Sequence, residues 1–238
     1  MKAKHSLLIL FVGLLGGMFS VSAAAQAVLQ SVTVRVAPGQ MDAYLGSVEK
    51  LQGVLDRVGG GATVAVWQAT LAGPASGTTM VGVSYPSLES YAAVTRKAQA
   101  DGEWQRIVGG LDGVRTLVST SLLSSADGRG PVTRPARGSV LQGVIVRPHA
   151  GKNAAYLEQI DKLQAVQERV GSSGQLRAWN VAIGGEGAGT IAVGIVYPSL
   201  AAYAADQGKL QADPEGAKLF AGLDDLRTVE SVSLFTAE

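Results

Sequence analysis

The stretch Tyr85-Pro86-Ser87-Leu88-Glu89-Ser90-Tyr91-Ala92-Ala93 returns as Tyr197-Pro198-Ser199-Leu200-Ala201-Ala202-Tyr203-Ala204-Ala205, displaced by 112 residues. Working outward, the same displacement pairs Val28-Leu29-Gln30 with Val140-Leu141-Gln142, and Ala43-Tyr44-Leu45 with Ala155-Tyr156-Leu157. It also pairs Lys50-Leu51-Gln52 with Lys162-Leu163-Gln164, Trp67 with Trp179, and Arg115-Thr116 with Arg227-Thr228. Identity of roughly 40% at one gapless offset marks an internal repeat. All six tyrosines fall into three equivalent pairs. The chain therefore reads as a tandem duplication, with repeat 1 over 28–123 and repeat 2 over 140–238. Residues 124–139 (SSADGRGPVTRPARGS) lack apolar periodicity and read as an exposed linker. At about 100 residues, each copy is a plausible small domain.

Periodicity orders the elements within a copy. Val32, Val34 and Val36 alternate with polar residues, as in a strand. Met41, Tyr44, Leu45, Val48, Leu51, Leu55 and Val58 then recur at helical spacing, and Gly59-Gly60-Gly61 supplies the stop. Thr63 to Leu71 and Thr79 to Tyr85 read as a hairpin, and Ser87 as the N-cap of a second helix. Asp213-Pro214-Glu215 predicts a further short helix in the second copy. Arg115 to Leu123 closes the first copy as a strand. The order is β-α-β-β-α-β, a split βαβ, ferredoxin-like plan of the α+β class. Strands such as Val64-Ala65-Val66-Trp67 are apolar on both faces, so a second layer must cover them.

Residues 1–27 have the layout of a secretory signal peptide: Lys2, Lys4 and His5, an apolar run from Leu7 to Phe19, then Ala25-Gln26-Ala27. The run, at about 13 residues, is short of the roughly 20 that span a bilayer. Cleavage after Ala27 and export to the periplasm or medium are the expectation, with no stable membrane insertion afterwards. Removing Lys2 and Lys4 leaves 18 basic residues against 19 acidic ones. With no positive excess, nucleic acid is not an expected partner. The absence of cysteine excludes disulfides, thiolate metal sites and cysteine nucleophiles. No metal site and no cofactor are expected, since His149 alone cannot supply several converging ligands.

Three features resemble the dimeric α/β-barrel superfamily, which includes antibiotic-biosynthesis-monooxygenase-like and NIPSNAP-like domains. They are Val34-Arg35-Val36 before Pro38-Gly39 and Tyr44-Leu45, Tyr85-Pro86-Ser87-Leu88 before Tyr91, and Ala212-Asp213-Pro214-Glu215. The resemblance implies two ferredoxin-like units packed sheet to sheet, an intrachain pseudo-dimer of the barrel that relatives build from two chains. It also implies a ligand cleft between each sheet and its helices. Haem-binding relatives use a histidine on the second helix, and neither copy has one there.

The repeated polar and aromatic residues are the candidate ligand-binding set: Trp67, Tyr85 and Arg115, then Trp179, Asn180, Tyr197 and Arg227. Similarity to cofactor-free monooxygenases of this fold, which use Trp, Asn and Arg, singles out Trp179-Asn180. Against that, adjacent strand residues face opposite sides, so a tryptophan here also reads as core with an outward amide. Tyr85 and Tyr197 precede a helix N-terminus, where a phenol could orient an anion or simply pack at the rim. Arg115 and Arg227 follow Asp112 and Asp224 by three residues, the spacing of a local ion pair. Gly82 and Gly194 interrupt strands at equivalent places, marking a bulge, a close approach or ligand space. No repeated acid–base constellation occurs. The leading expectation is a binder of a small, mostly apolar molecule. The alternatives are a cofactor-independent monooxygenase or isomerase, and a protein-interaction module.

Overall fold

The computed structural model describes residues 26–238, so the expected signal peptide lies almost wholly outside the described residues. The first half runs β1 (Val28–Val36), α1 (Met41–Val58), β2 (Thr63–Leu71), β3 (Thr79–Tyr85), α2 (Leu88–Ala100), α3 (Gly102–Gly109) and β4 (Arg115–Ser125). The second repeats that order: β5 (Val140–Pro148), α4 (Asn153–Arg169), β6 (Gln175–Ile183), β7 (Ile191–Tyr197), α5 (Leu200–Ala212), α6 (Pro214–Gly222) and β8 (Arg227–Ala237). A short helix follows the second long helix in both halves. Asp101 caps α3 through the amides of Glu103 and Trp104, and Asp213 caps α6 through Gly216. The Pro at 214 made only the second of these readable from sequence; Gly102 hides the first.

The eight strands form one closed antiparallel barrel in the order β1-β3-β2-β8-β5-β7-β6-β4. The two four-stranded sheets do more than pack face to face. Their edges pair, Trp67 with Ala237 and Gln68 with Thr236 at one seam, Ser124 with Asn180 and Ser125 with Trp179 at the other. Closure satisfies backbone groups that would otherwise line a free edge.

Alternation along each strand divides the core into two kinds. Helix-facing side chains build one cluster per half: Val34, Val64, Val66 and Tyr85 against Tyr44, Val48, Leu55 and Val94, and Val146, Leu176, Ile191 and Tyr197 against Tyr156, Ile160 and Leu163. The barrel lumen is filled by residues from both halves. Leu29 and Leu123 meet Trp179, Val181 and Ala192, while Ala65, Trp67 and Met80 meet Leu141, Val196 and Phe235. Gly82 and Gly194 give way to this filling, since a Cβ would lie 3.3 Å from Leu29 Cδ1 and 3.1 Å from Leu141 Cδ1. The glycines mark close packing across strands.

Residues 124–139 are not a free linker. The Asp127 carboxylate, only 3% exposed, pairs with Arg177 at 2.9 Å and accepts the Ala178 amide at 3.1 Å. Arg129 donates to the Leu176 carbonyl at 2.7 Å, and the Val132 amide to Ser84 Oγ at 3.1 Å. Gly138 and Ser139 bond with Ala237 at 2.9 Å in both directions. The segment crosses one mouth of the barrel from β6 past β3 to β8, and Val132 packs beside the lumen cluster of Trp179. Burial outweighed by bonds from Arg177, Ser125 and two backbone amides holds the Asp127 carboxyl below its ordinary range. A Gly/Pro/Ser-rich composition signalled irregular backbone; it could not signal that the backbone is bolted down.

Candidate functional site

In the second half the layer between sheet and helices is incompletely filled. A cavity of about 90 Å³ lies there, its walls including Val144, Ile160, Leu163, Val193 and Ile195, with Gln142, Tyr156, Gln207 and Arg227 as the polar members. β8 begins at Arg227, which places its side chain under α4; α4 supplies Tyr156 and α5 supplies Gln207. The Arg227 side chain is 12% exposed. One guanidinium nitrogen reaches Asp224 at 3.3 Å, whereas Nε is buried without a hydrogen-bond partner. A buried charged donor left unmatched is costly, which makes it an anchor in waiting for an acceptor.

The tyrosines around this layer are neutral phenols at ordinary pH. Burial pushes the Tyr156 phenol up to about 12 despite the neighbouring Arg227 charge, and pushes Tyr197 and Tyr85 to about 12 as well. Gln207 Nε2 donates to Tyr197 Oη at 3.4 Å and to Gln142 Oε1 at 3.3 Å. Tyr197 stacks edge-on against Tyr203 with centroids 5.3 Å apart, and Tyr85 against Tyr91 at 5.2 Å. Neither Tyr85 nor Tyr197 is a wet rim residue: they are 3% and 0% exposed. The following helix N-termini are closed by Ser87 and Ser199, whose hydroxyls accept from Ser90 and Ala202 at 3.1 Å.

The sequence-chosen set is thus split by the barrel wall. Arg227 lines the cavity and Tyr197 adjoins it; Tyr85 and Arg115 occupy the equivalent layer of the first half, where the Arg115 charge opposes the burial that raises the Tyr44 pKa. Trp67 and Trp179 lie on the other side of the sheet, in the lumen, so they are removed from the cleft in which the resemblance placed them. Asn180 shares the helix-facing parity of Leu176 and Ala178, opposite its neighbour Trp179. Tyr156, Gln142 and Gln207 were missed. Tyr156 and Gln142 were visible as repeated residues, but Gln207 stands opposite Thr95 and carried no signal.

His149 is the sole histidine among the described residues and is exposed, its ring nitrogens 3.2 Å from the Asp225 carbonyl and 3.3 Å from Thr228 Oγ1. It lies in the turn before α4, not on a helix over the cleft. A cavity of about 90 Å³ is also far below the roughly 300 Å³ at which pockets begin to hold drug-sized ligands. The residues present do not fit a haem held by histidine in this cleft.

The geometry defines a ferredoxin-like dimeric α/β barrel completed within a single chain. No protein-family profile matches the chain, and no curated protein resembles it in sequence. Solved structures do share the fold. A protein from Lactobacillus acidophilus provisionally named a monooxygenase superposes with a TM-score of 0.63 at 10% identity, over 90% of this chain and 93% of that one. An anthrone oxidase-like protein gives 0.60 at 13% identity over 91% and 93%, and a chlorite dismutase from Candidatus Nitrospira defluvii gives 0.51 at 12% over 89% and 90%.

Proposed function

We propose that the protein is an exported binder of one small, mostly apolar molecule bearing an anionic oxygen, held in the second half's sheet–helix cleft. The carrying observation is the unpartnered Nε of Arg227 beside a cavity whose walls are largely aliphatic. A charge-assisted bond from that nitrogen would fix the oxygen, and Val144, Ile160 and Ile195 would cover the hydrocarbon. The cavity suits a ligand of a few heavy atoms.

Native mass spectrometry of the protein purified from its own compartment is the test. Extra mass equal to one small acid per chain, lost on denaturation, is expected. Arg227→Met should weaken rebinding of that acid about 10- to 100-fold, the loss of one hydrogen bond to a charged group. Arg227→Lys, which keeps the charge and loses the Nε donor, should recover only part of the affinity. A bare chain, or full affinity in Arg227→Met, would sink the reading.

A second reading, cofactor-independent oxygenation, is favoured by the names carried by the structural neighbours. Its polar residues would be Tyr156 and Arg227. Neutral phenols restrict it to a mechanism in which tyrosine donates and the substrate arrives already acidic. Oxygen uptake with anthrone as the probe separates the two readings. The repeat supports origin by tandem duplication, and the element order supports placement among antibiotic-biosynthesis-monooxygenase-like or NIPSNAP-like domains.

A further inference from the structure

The second half carries a polar corner where the first half is apolar. Gln167 stands opposite Leu55, Arg177 opposite Ala65, Asp206 opposite Val94 and Ser172 opposite Gly60. The exchanges are coupled. In the first half a Cβ at Gly60 would lie 2.3 Å from Val94, so glycine and valine belong together. In the second, the Ser172 hydroxyl donates to the Asp206 carboxylate at 3.0 Å, joined by the Ser173 amide and hydroxyl at 2.7 and 2.8 Å.

Beside this network a cavity of about 320 Å³ opens between the end of α4, the start of β6 and the 124–139 segment. It is separate from the cleft described above and several times larger. Gln167, on its wall, is 2% exposed, yet neither its amide nitrogen nor its oxygen has a hydrogen-bond partner. Gln164 Oε1 is likewise buried and unpartnered. Native proteins seldom leave buried amides unmatched, and several around one hollow point to a polar occupant.

The charges on the same wall specify its kind. Arg177 is committed to Asp127, so it is framework. Arg129 spends one nitrogen on the Leu176 carbonyl and makes no ion pair among the described residues. Glu168, at the rim, accepts from Gln164 Nε2 at 2.8 Å and makes no ion pair either. A cation and an anion thus line one cavity without neutralising each other.

We propose that this cavity is a binding site for a zwitterionic, amino-acid-sized solute. The solute's carboxylate sits on Arg129 and its ammonium on Glu168 and the Gln164 carbonyl, while the Gln167 amide supplies one donor and one acceptor between them. At about 320 Å³ the space admits a free amino acid.

The test is calorimetric titration of the purified mature protein with each standard amino acid, alongside propionate and butylamine as single-charge probes. Saturable binding of at least one amino acid, one per chain, is expected, with both single-charge probes at least tenfold weaker. Gln167→Leu, which installs the residue the first half carries at the equivalent position, Leu55, should weaken that binding at least tenfold while leaving the circular dichroism and melting curve intact. Arg129→Gln should do the same, and Arg227→Met should not. No saturation by any amino acid at millimolar concentration, equal affinity for propionate or butylamine, or undiminished binding by Gln167→Leu would each overturn the proposal.

Discussion

Trp179→Ala is expected to cost about 4 kcal/mol of stability, the range for truncating a large aromatic in a packed core. The side chain is 4% exposed and belongs to the lumen cluster with Leu29, Leu123 and Val181, residues drawn from both halves. Arg177 lies over its ring, 4.9 Å from the centroid, and is itself held by Asp127. Truncation therefore opens a hole at the seam between β4 and β6 and loosens the segment across the barrel mouth at once. Chemical denaturation followed by fluorescence and circular dichroism checks this as a shift in midpoint. Binding at the helix-facing cleft should survive at temperatures where the variant is folded, because the ring lies on the opposite side of the sheet. A loss below about 1 kcal/mol, well short of that packing range, would mean the tryptophan is not a packing residue.

The second large effect concerns Asp206. Its carboxylate is buried by α5 and accepts from Ser172, Ser173 and the Lys209 ammonium at 2.8 Å. Burial alone would raise its pKa; these hydrogen bonds outweigh it and drive the value far below the ordinary carboxylate range. A depressed folded pKa means that the stabilisation is fully present above the unfolded value of about 3.9 and is lost as pH falls toward the folded one. Asp206→Ala strands four donors, the Ser172 hydroxyl, the Ser173 amide and hydroxyl and the Lys209 ammonium, and should cost about 3 kcal/mol at pH 7. The gap between wild type and Asp206→Asn should be largest near neutrality and narrow progressively below about pH 4. Thermal unfolding across pH 2–7 measures it; a gap constant with pH would show that the carboxylate is not ionised in the folded state.

These two residues also show why the halves differ in their needs. Val94 in the first half does by packing what Asp206 does in the second by hydrogen bonding. The Asp206 arrangement relies on Ser172 and Ser173, which stand where the first half has Gly60 and Gly61. Glu230, which stands opposite Val118, has a structural role of the same kind: its carboxylate accepts from Arg147 Nε at 2.6 Å.

Periodicity and the offset of 112 residues determined the element order, the hairpins, the Ser87 cap and the Asp213 cap, because each depends on interactions within a few residues of itself. They also showed that Tyr44, Tyr85 and Arg115 have counterparts in Tyr156, Tyr197 and Arg227. Which face of a strand meets the helices was beyond them. Val64 to Trp67 is apolar on both sides, and period-two alternation names two faces without saying which one covers a cavity. That choice fell to the pairing of β2 with β8 and of β4 with β6, contacts between residues some 55 to 170 positions apart, which turned the tryptophans inward and left Arg227 facing the cleft. The anchoring of Asp127 to Arg177 and the hollow beside Gln167 have the same origin: they exist only once barrel closure brings β6 to the end of β4.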